Sequence, residues 1–588
     1  MASELCCMPS SYFLTKKLTT SIPPIPRLRR TPSTTPSLSI RCSATTQGTN
    51  LTADRRTSAN FQPSSWSYDF VQSLNNEHLV EEYKEKVKEL EEEVRRMINN
   101  ENVALLNKLE LVDEIQRFGL AHRFGDDIRR AVDKIYNFNV RPDQECLHAA
   151  ALRFRLLRQH GYHVSPDIFK SFKDENGNFK ESFGKDVKGL LSLYEASHLA
   201  FEGEDLLDEA KEFTRMHLKN LDANHILAEQ VNHALELPLH HRMLKLEARW
   251  SIEAYSKRFD ANQALLELAK LDFNMVQSTL QRELKDMSRW WKALELASKL
   301  SFTRDRLMES FFWALGMVCE PQLGNLRKGL TKVIALITVI DDVYDAYGTP
   351  EELELFTSSV ERWDVNAVQI LPDYMKLCFL ALYNTVNEMV YETLKAKGEN
   401  VLPYLTKAWS DLCKAFLKEA KWSKSKYSPT FEEYLENAWI SASGVVLLVH
   451  AYFLSFENIT QETLECLENH HNLLRWPSII FRLSNDLATS TAEIQRGETA
   501  NSISCSMRDN NVSEECARKY LQAMIEDSWK KMNMEMVDGD SPFPKQNVDT
   551  AINLARIAQC TYQYGDGHGT PDTRSKNRVL SLIINPID

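Results

Sequence analysis

Residues 333–345 read VIALITVIDDVYD. An apolar run from Val333 to Ile340 leads straight into Asp341, Asp342 and Asp345. A helix this apolar packs inside a protein, yet it ends in carboxylates. Asp341 and Asp345 are one helical turn apart and share a face. Buried carboxylates are costly unless a cation meets them, and no Lys or Arg follows at helical spacing. A divalent ion is the natural partner. Hard oxygen ligands suit Mg2+ or Mn2+, which keep several waters and pair with substrate phosphates. The competing reading is an acidic helix end that faces solvent or caps the next turn. Taken alone, the stretch leaves the two readings level.

A second stretch separates them. Residues 485–493 read NDLATSTAE, with Asn485, Thr489 and Glu493 at i, i+4 and i+8 on one helix face. An amide carbonyl, a hydroxyl and a carboxylate make an oxygen-only site of reduced charge. One such stripe reads as a polar surface. Two metal-suited stripes on separate apolar helices are much harder to read that way.

Outward from these helices, helical periodicity dominates beyond residue 65. Tyr83, Val87, Leu90, Val94 and Met97 recur at steps of 4, 3, 4 and 3 among charged residues, one apolar stripe on a surface helix. Only 19 of the 588 residues are glycine, seven of the 20 prolines fall within the first 63, and the rest is rich in Leu, Ala, Glu and Lys, which favours helix. Alternating strand patterns are nearly absent, and no solenoid repeat is found. The expected fold class is all-α, with two helical domains at 65–262 and 263–588. Their boundary is placed near 258–268, where the polar segment Lys257–Gln263 precedes a new apolar run.

Composition removes several functions. A net charge of −12 argues against nucleic acid. No run of 18 or more uncharged apolar residues is found, so no membrane insertion is expected. The 11 cysteines are scattered without a CxxC pair and read as reduced thiols. His240–His241 and His470–His471 carry no third ligand and read as surface or packing residues. The first 53 residues hold one acid, Glu4, against six bases, with 18 Ser and Thr. That composition is that of an organelle transit peptide, with a plain disordered tail as the alternative. Cleavage is placed near Arg41–Cys42; loss of residues 1–41, with six bases and one acid, takes the net charge from −12 to −17.

DDVYD and NDLATSTAE resemble the DDxxD and NSE/DTE motifs of plant class I terpene synthases, and the likeness covers nearly the whole chain after residue 54. The resemblance implies a plastid transit peptide at 1–41, an N-terminal arm at 42–64, a helical barrel-like domain at 65–262 and a catalytic class I helical bundle at 263–588. It implies Asp341 and Asp345 as metal ligands on one side of a pocket and Asn485, Thr489 and Glu493 around a third magnesium on the other. Asp342 would orient its neighbours. The cofactor implied is Mg2+, three ions with diphosphate, or Mn2+. Arg304 and Arg306 in FTRDRLMESFFW resemble the RxR element that grips the departing diphosphate, and Arg482, three residues before Asn485, resembles another diphosphate ligand. Arg55, Arg56 and Trp66 in DRRTSANFQPSSW resemble the RRx8W motif, with nine residues between Arg56 and Trp66 in place of eight. TYQYGDGHG resembles the family's lid segment, with Tyr562 facing the cavity as base or as structural tyrosine and Asp566 nearby. No DxDD is present, which argues against a protonation-initiated mechanism.

The activity implied is ionisation of a prenyl diphosphate, with Trp313, Tyr344, Phe481 and Tyr562 as candidate aromatic partners of the cation. A plastid stroma address implies geranyl diphosphate or the five-carbon dimethylallyl diphosphate. Isoprene synthases resemble each other in a Phe seven residues before the first metal Asp, where this chain has Ile334, and in a Ser where it has Ala442. Phe481 and Asn501 agree with them. The expected product is therefore an acyclic monoterpene olefin such as β-ocimene or myrcene, influenced by the broken-helix segment Ile440–Val446. The alternatives are an isoprene synthase, a linalool, cyclic monoterpene or farnesene synthase, a chain-elongating prenyltransferase, and an inactive helical scaffold. The protein would act as a monomer or homodimer.

Overall fold

The computed structural model describes residues 61–588 apart from 76, 139–144, 456–457, 497–499, 538 and 540, with backbone alone at 77–82 and 492–496. The expected transit peptide, Arg55 and Arg56 lie outside the described residues, as does the side chain of Glu493. Among the described residues the chain is all-α, with one isolated antiparallel bridge between Lys173 and Phe179.

The expected boundary at 258–268 meets a loop between helices Leu244–Ser256 and Gln263–Leu294. Asn262 opens the second of these by accepting from the Leu265 amide at 2.9 Å. That helix is a spine for both halves of the sequence. Asn274, Gln277 and Gln281 donate to the carbonyls of Ile587, Leu582 and Ile583, fastening the C-terminus along it. One apolar core runs from Val71 to Ile587 without a break at the loop.

The aspartate helix spans Gly324–Asp342 and is buried along most of its length. It does not continue as α-helix through Asp345. A π turn, Val343–Tyr347, follows, closed by the Gly348 amide donating to the Val343 carbonyl at 2.8 Å. Such turns widen the helix locally and are frequent at functional sites. The NDLATSTAE residues lie on helix Asn472–Arg496.

The stretch Phe431–Leu454 is long and apolar enough to cross a bilayer, but 89% of its most apolar window is buried inside the protein. It is also broken in two. Helix Phe431–Ser441 starts from a Thr430–Glu433 capping box, and the chain breaks at Ser443 (φ 69°) before helix Gly444–Leu454. Gly444 is required there: a Cβ would stand 2.3 Å from Ser478 Oγ.

His240 and His241 are packing residues, not surface ones. His241 stacks on Trp529 with centroids 4.1 Å apart, and His240 Nε2 lies 2.7 Å from Asn533 Oδ1. The eight described cysteines are free thiols.

Candidate active site

Ile334, Thr338, Asp341 and Asp345 follow one another at steps of 4, 3 and 4, so the buried helix turns one stripe toward the site. The cation that meets its carboxylates comes from far upstream, not from helical spacing. Arg304 donates its backbone amide to Asp342 Oδ2 (2.6 Å) and its Nε to Asp342 Oδ1 (2.8 Å), and its Nη2 reaches Asp341 Oδ2 (2.5 Å). Asp342 is 1% exposed. Burial raises its carboxyl to about 7, against the pull of Arg304.

Asp345 has no ion pair among the described residues. Its side chain is solvent-accessible, yet protein surrounds it. That enclosure, with the charges of Asp341 and Glu419, pushes its carboxyl well above the ordinary range. An unmet need for positive charge beside hard oxygen donors is the condition a divalent cation satisfies. No group of three or more His, Cys, Asp or Glu converges as a metal cage among the described residues. A metal here would take its remaining ligands from water and substrate.

On helix Asn472–Arg496, Arg482 donates Nη1 to Asn485 Oδ1 (3.2 Å), Nη2 to Ser441 Oγ (3.0 Å) and Nε to the Ala438 carbonyl (3.0 Å). Thr489 Oγ1 donates to the Asn485 carbonyl at 2.9 Å, which leaves its lone pairs facing outward. Helix Phe431–Ser441 thus holds Arg482 by its last turn, just before the break at Ser443. Glu419 accepts from Ser441 Oγ (2.5 Å) and Asn437 Nδ2 (3.1 Å), and burial raises its carboxyl despite Arg482.

An aromatic wall closes the apolar end. Trp313 packs on Phe481 (centroids 4.8 Å) and Tyr562 (6.1 Å), and Phe481 stacks on Tyr562 (6.0 Å). Burial pushes the Tyr562 hydroxyl far above its usual range, so it stays a neutral phenol. His568 also reaches this wall, edge-on to Trp313. Its Nε2 is 2.9 Å from Thr338 Oγ1, whose own proton goes to the Ile334 carbonyl.

Two expectations need correction. Arg306 does not present a free fork to a diphosphate. It is 2% exposed, and it donates to the carbonyls of Gln62, Asp305 and Gly569, tying the N-terminal arm to the 566–570 loop. Tyr344 is not in the aromatic wall. Beyond the switch to the π turn it faces away, bonding Thr357 Oγ1 (2.8 Å) and packing on Phe356 and Phe416. Trp66, just past the arm, donates Nε1 to Glu309 Oε1 at 3.3 Å. Asn501 caps helix Ser502–Asn510 by accepting from the Ser504 amide. Sequence reasoning missed Glu419 and His568. Neither stands in a periodic motif, although His568 lies within the quoted GDGHG.

An all-helical fold with oxygen-rich faces on the Gly324–Asp342 and Asn472–Arg496 helices and an aromatic cluster of Trp313, Phe481 and Tyr562 is that of a class I terpenoid synthase. Comparison with known proteins agrees. The terpene synthase N-terminal domain matches residues 65–235, and the metal binding domain of the terpene synthase family matches residues 292–531. The chain is 55% identical to isoprene synthase, chloroplastic, of Populus alba over 100% of this chain and 99% of that protein. It is 57% identical to tricyclene synthase TPS4, chloroplastic, of Medicago truncatula over 92% and 94%. Isoprene synthase from grey poplar leaves (Populus x canescens) superposes with a TM-score of 0.83 at 56% identity, covering 90% of this chain and 99% of that one. Limonene synthase superposes at 0.88 with 42% identity, covering 91% and 100%. The grey poplar enzyme has also been solved with three Mg2+ ions and dimethylallyl-S-thiolodiphosphate. The chain belongs to the terpene synthase family and is an enzyme, a carbon–oxygen lyase acting on phosphates.

Proposed function

We propose that this enzyme ionises geranyl diphosphate and releases an acyclic monoterpene olefin of the β-ocimene or myrcene type together with diphosphate. The observation that carries the reading is Ile334, on the site-facing stripe two turns before Asp341, where a bulkier aromatic side chain would shorten the cavity. Three Mg2+ ions, or Mn2+, at Asp341 and Asp345 and at Asn485, Thr489 and Glu493 would supply the positive charge that draws the leaving diphosphate away. Arg304 and Arg482 face that charge from either side. Arg304 Nη1 makes no hydrogen bond among the described residues and is left for a diphosphate oxygen. As the carbon–oxygen bond breaks, its electron pair leaves with diphosphate. The allyl cation is met by the faces of Trp313, Phe481 and Tyr562, which attract it without adding to it. A C–H bond beside the cation gives its pair to the new double bond, and the proton passes to a diphosphate oxygen. Exclusion of water from the site would favour an olefin over an alcohol.

A second reading, isoprene from dimethylallyl diphosphate, is favoured by identity of 54–55% to poplar isoprene synthases along the whole chain and by Phe481 and Asn501. Relatives named chloroplastic support a plastid stroma address. The proposed partner is the prenyl diphosphate alone, for a monomer or homodimer that neither enters a membrane nor binds nucleic acid. Headspace analysis of the Asp341→Ala variant with geranyl diphosphate and Mg2+ tests the site. Loss of volatiles is expected, and volatile production equal to the parent's would overturn the assignment.

A further inference from the structure

Behind the aromatic wall lies a small cavity of about 20 Å3, lined among others by Trp66, Glu309, Trp313, Thr561, Gly567 and Val579. Three of these side chains bring a buried polar atom that has no partner among the described residues: Glu309 Oε2, Trp313 Nε1 and Thr561 Oγ1. Each is more than nine-tenths buried, at 5%, 4% and 8% exposed. Buried polar atoms without partners are costly. Three of them around one void of this size match what a single water requires in room and in hydrogen-bonding groups.

We propose that this cavity is a binding site for one ordered water that joins Glu309 to Trp313, and that Glu309 is a positioning residue for the aromatic wall. The indole N–H of Trp313 donates to the water. The water donates to Glu309 Oε2, and Thr561 Oγ1 completes its shell. Glu309 and Trp313 are four residues apart on helix Leu307–Met317 and share its face. The other oxygen of Glu309 is taken by Trp66 Nε1. Trp66, Glu309, the water and Trp313 therefore form one hydrogen-bonded chain that ends at the ring packed on Phe481 and Tyr562. Thr561 adds a second fastening, because the next residue is Tyr562 itself. The Trp66–Glu309 contact thereby fixes the plane of the Trp313 indole.

The water site stands on geometry alone, and its effect on product rests on the function proposed above. A crystal structure of the full enzyme at a resolution that shows solvent tests the site directly. Density for one water within hydrogen-bond distance of all three atoms is expected, and a dry or apolar-filled cavity overturns it. Glu309→Leu and, should that variant fold poorly, Thr561→Val are then compared with Glu309→Gln, each assayed with the ten-carbon diphosphate. Loss of one bond should raise the share of alcohol among the products about fivefold. Glu309→Gln, whose oxygen still accepts from Trp66 and whose amide N–H donates to a water turned to donate to Thr561 Oγ1, should stay near the parental ratio. A folded Glu309→Leu or Thr561→Val enzyme with the parental ratio sinks the positioning role. An unmodified enzyme that makes no volatile from any prenyl diphosphate sinks the function instead, and leaves the density to decide the water.

Discussion

Asp342 grips Arg304 twice, through the backbone amide at 2.6 Å and through Nε at 2.8 Å. The double hold fixes both the segment that carries Arg304 and the plane of its guanidinium, so that Nη2 meets Asp341. Asp342→Asn keeps the shape and removes the charge. Steady-state kinetics should show kcat/KM down by about 10–100-fold, the usual cost of losing a group that orients a ligand, with helix content by circular dichroism unchanged. Arg304→Lys should cost as much, because an ammonium cannot reach both aspartates in one plane. Parental kinetics in either variant would contradict the arrangement.

Ile334 lies two turns before Asp341 and is 6% exposed. Ile334→Phe should shorten the space for the substrate tail. The ratio of kcat/KM for dimethylallyl over geranyl diphosphate should rise about tenfold or more, since pocket size differences of this order are worth 1–3 kcal/mol. An unchanged ratio would mean that Ile334 does not set chain length.

Gly444 opens the second half of the broken helix, where an added Cβ would meet Ser478 Oγ at 2.3 Å, Ser478 Cβ at 3.0 Å and Leu554 Cδ2 at 3.2 Å. Gly444→Ala should push the break away from the Asn485 helix, destabilising the fold by about 1–3 kcal/mol. A fall in apparent Tm together with an altered product mixture is expected. A variant with the parental Tm would show that the helices separate easily at this point.

Glu195 is 5% exposed, and burial raises its carboxyl to about 7, although Arg117 and the Leu239 amide favour the ionised form. The folded protein thus keeps a proton that the unfolded chain has lost above its ordinary carboxylate pKa. Stability from this group is greatest at low pH, falls as pH rises from about 4.5 to about 7, and is level above, a loss on the order of 3 kcal/mol. Glu195→Gln removes the titration. The Tm of the variant minus that of the parent should therefore rise between pH 5 and pH 8. A difference that does not change with pH would place the Glu195 titration elsewhere.

The aspartate helix was legible because its apolar run and its carboxylates share one helical period. The Asn485 helix was legible for the same reason. Periodicity says which residues share a face, but not what stands opposite. Hence Arg304 reads in the sequence as a diphosphate ligand and not as the cation that already meets Asp341 and Asp342, 37 and 38 residues away. The same limit explains Arg306, whose donors are consumed by backbone carbonyls that no motif announces. Tyr344 was misplaced because the π turn at Val343–Tyr347 changes the direction of each side chain beyond Asp342. Glu419 belongs to no motif, and only folding brings it between Arg482 and Asp341.

The central claim is that a ten-carbon diphosphate is ionised in this site to an acyclic olefin. The most direct measurement is volatile analysis of the purified protein lacking residues 1–41, supplied with Mg2+ and, separately, the five-, ten- and fifteen-carbon allylic diphosphates. The account predicts that the ten-carbon substrate is used best and that its main product is an acyclic monoterpene. Isoprene from the five-carbon substrate as the dominant product would contradict it.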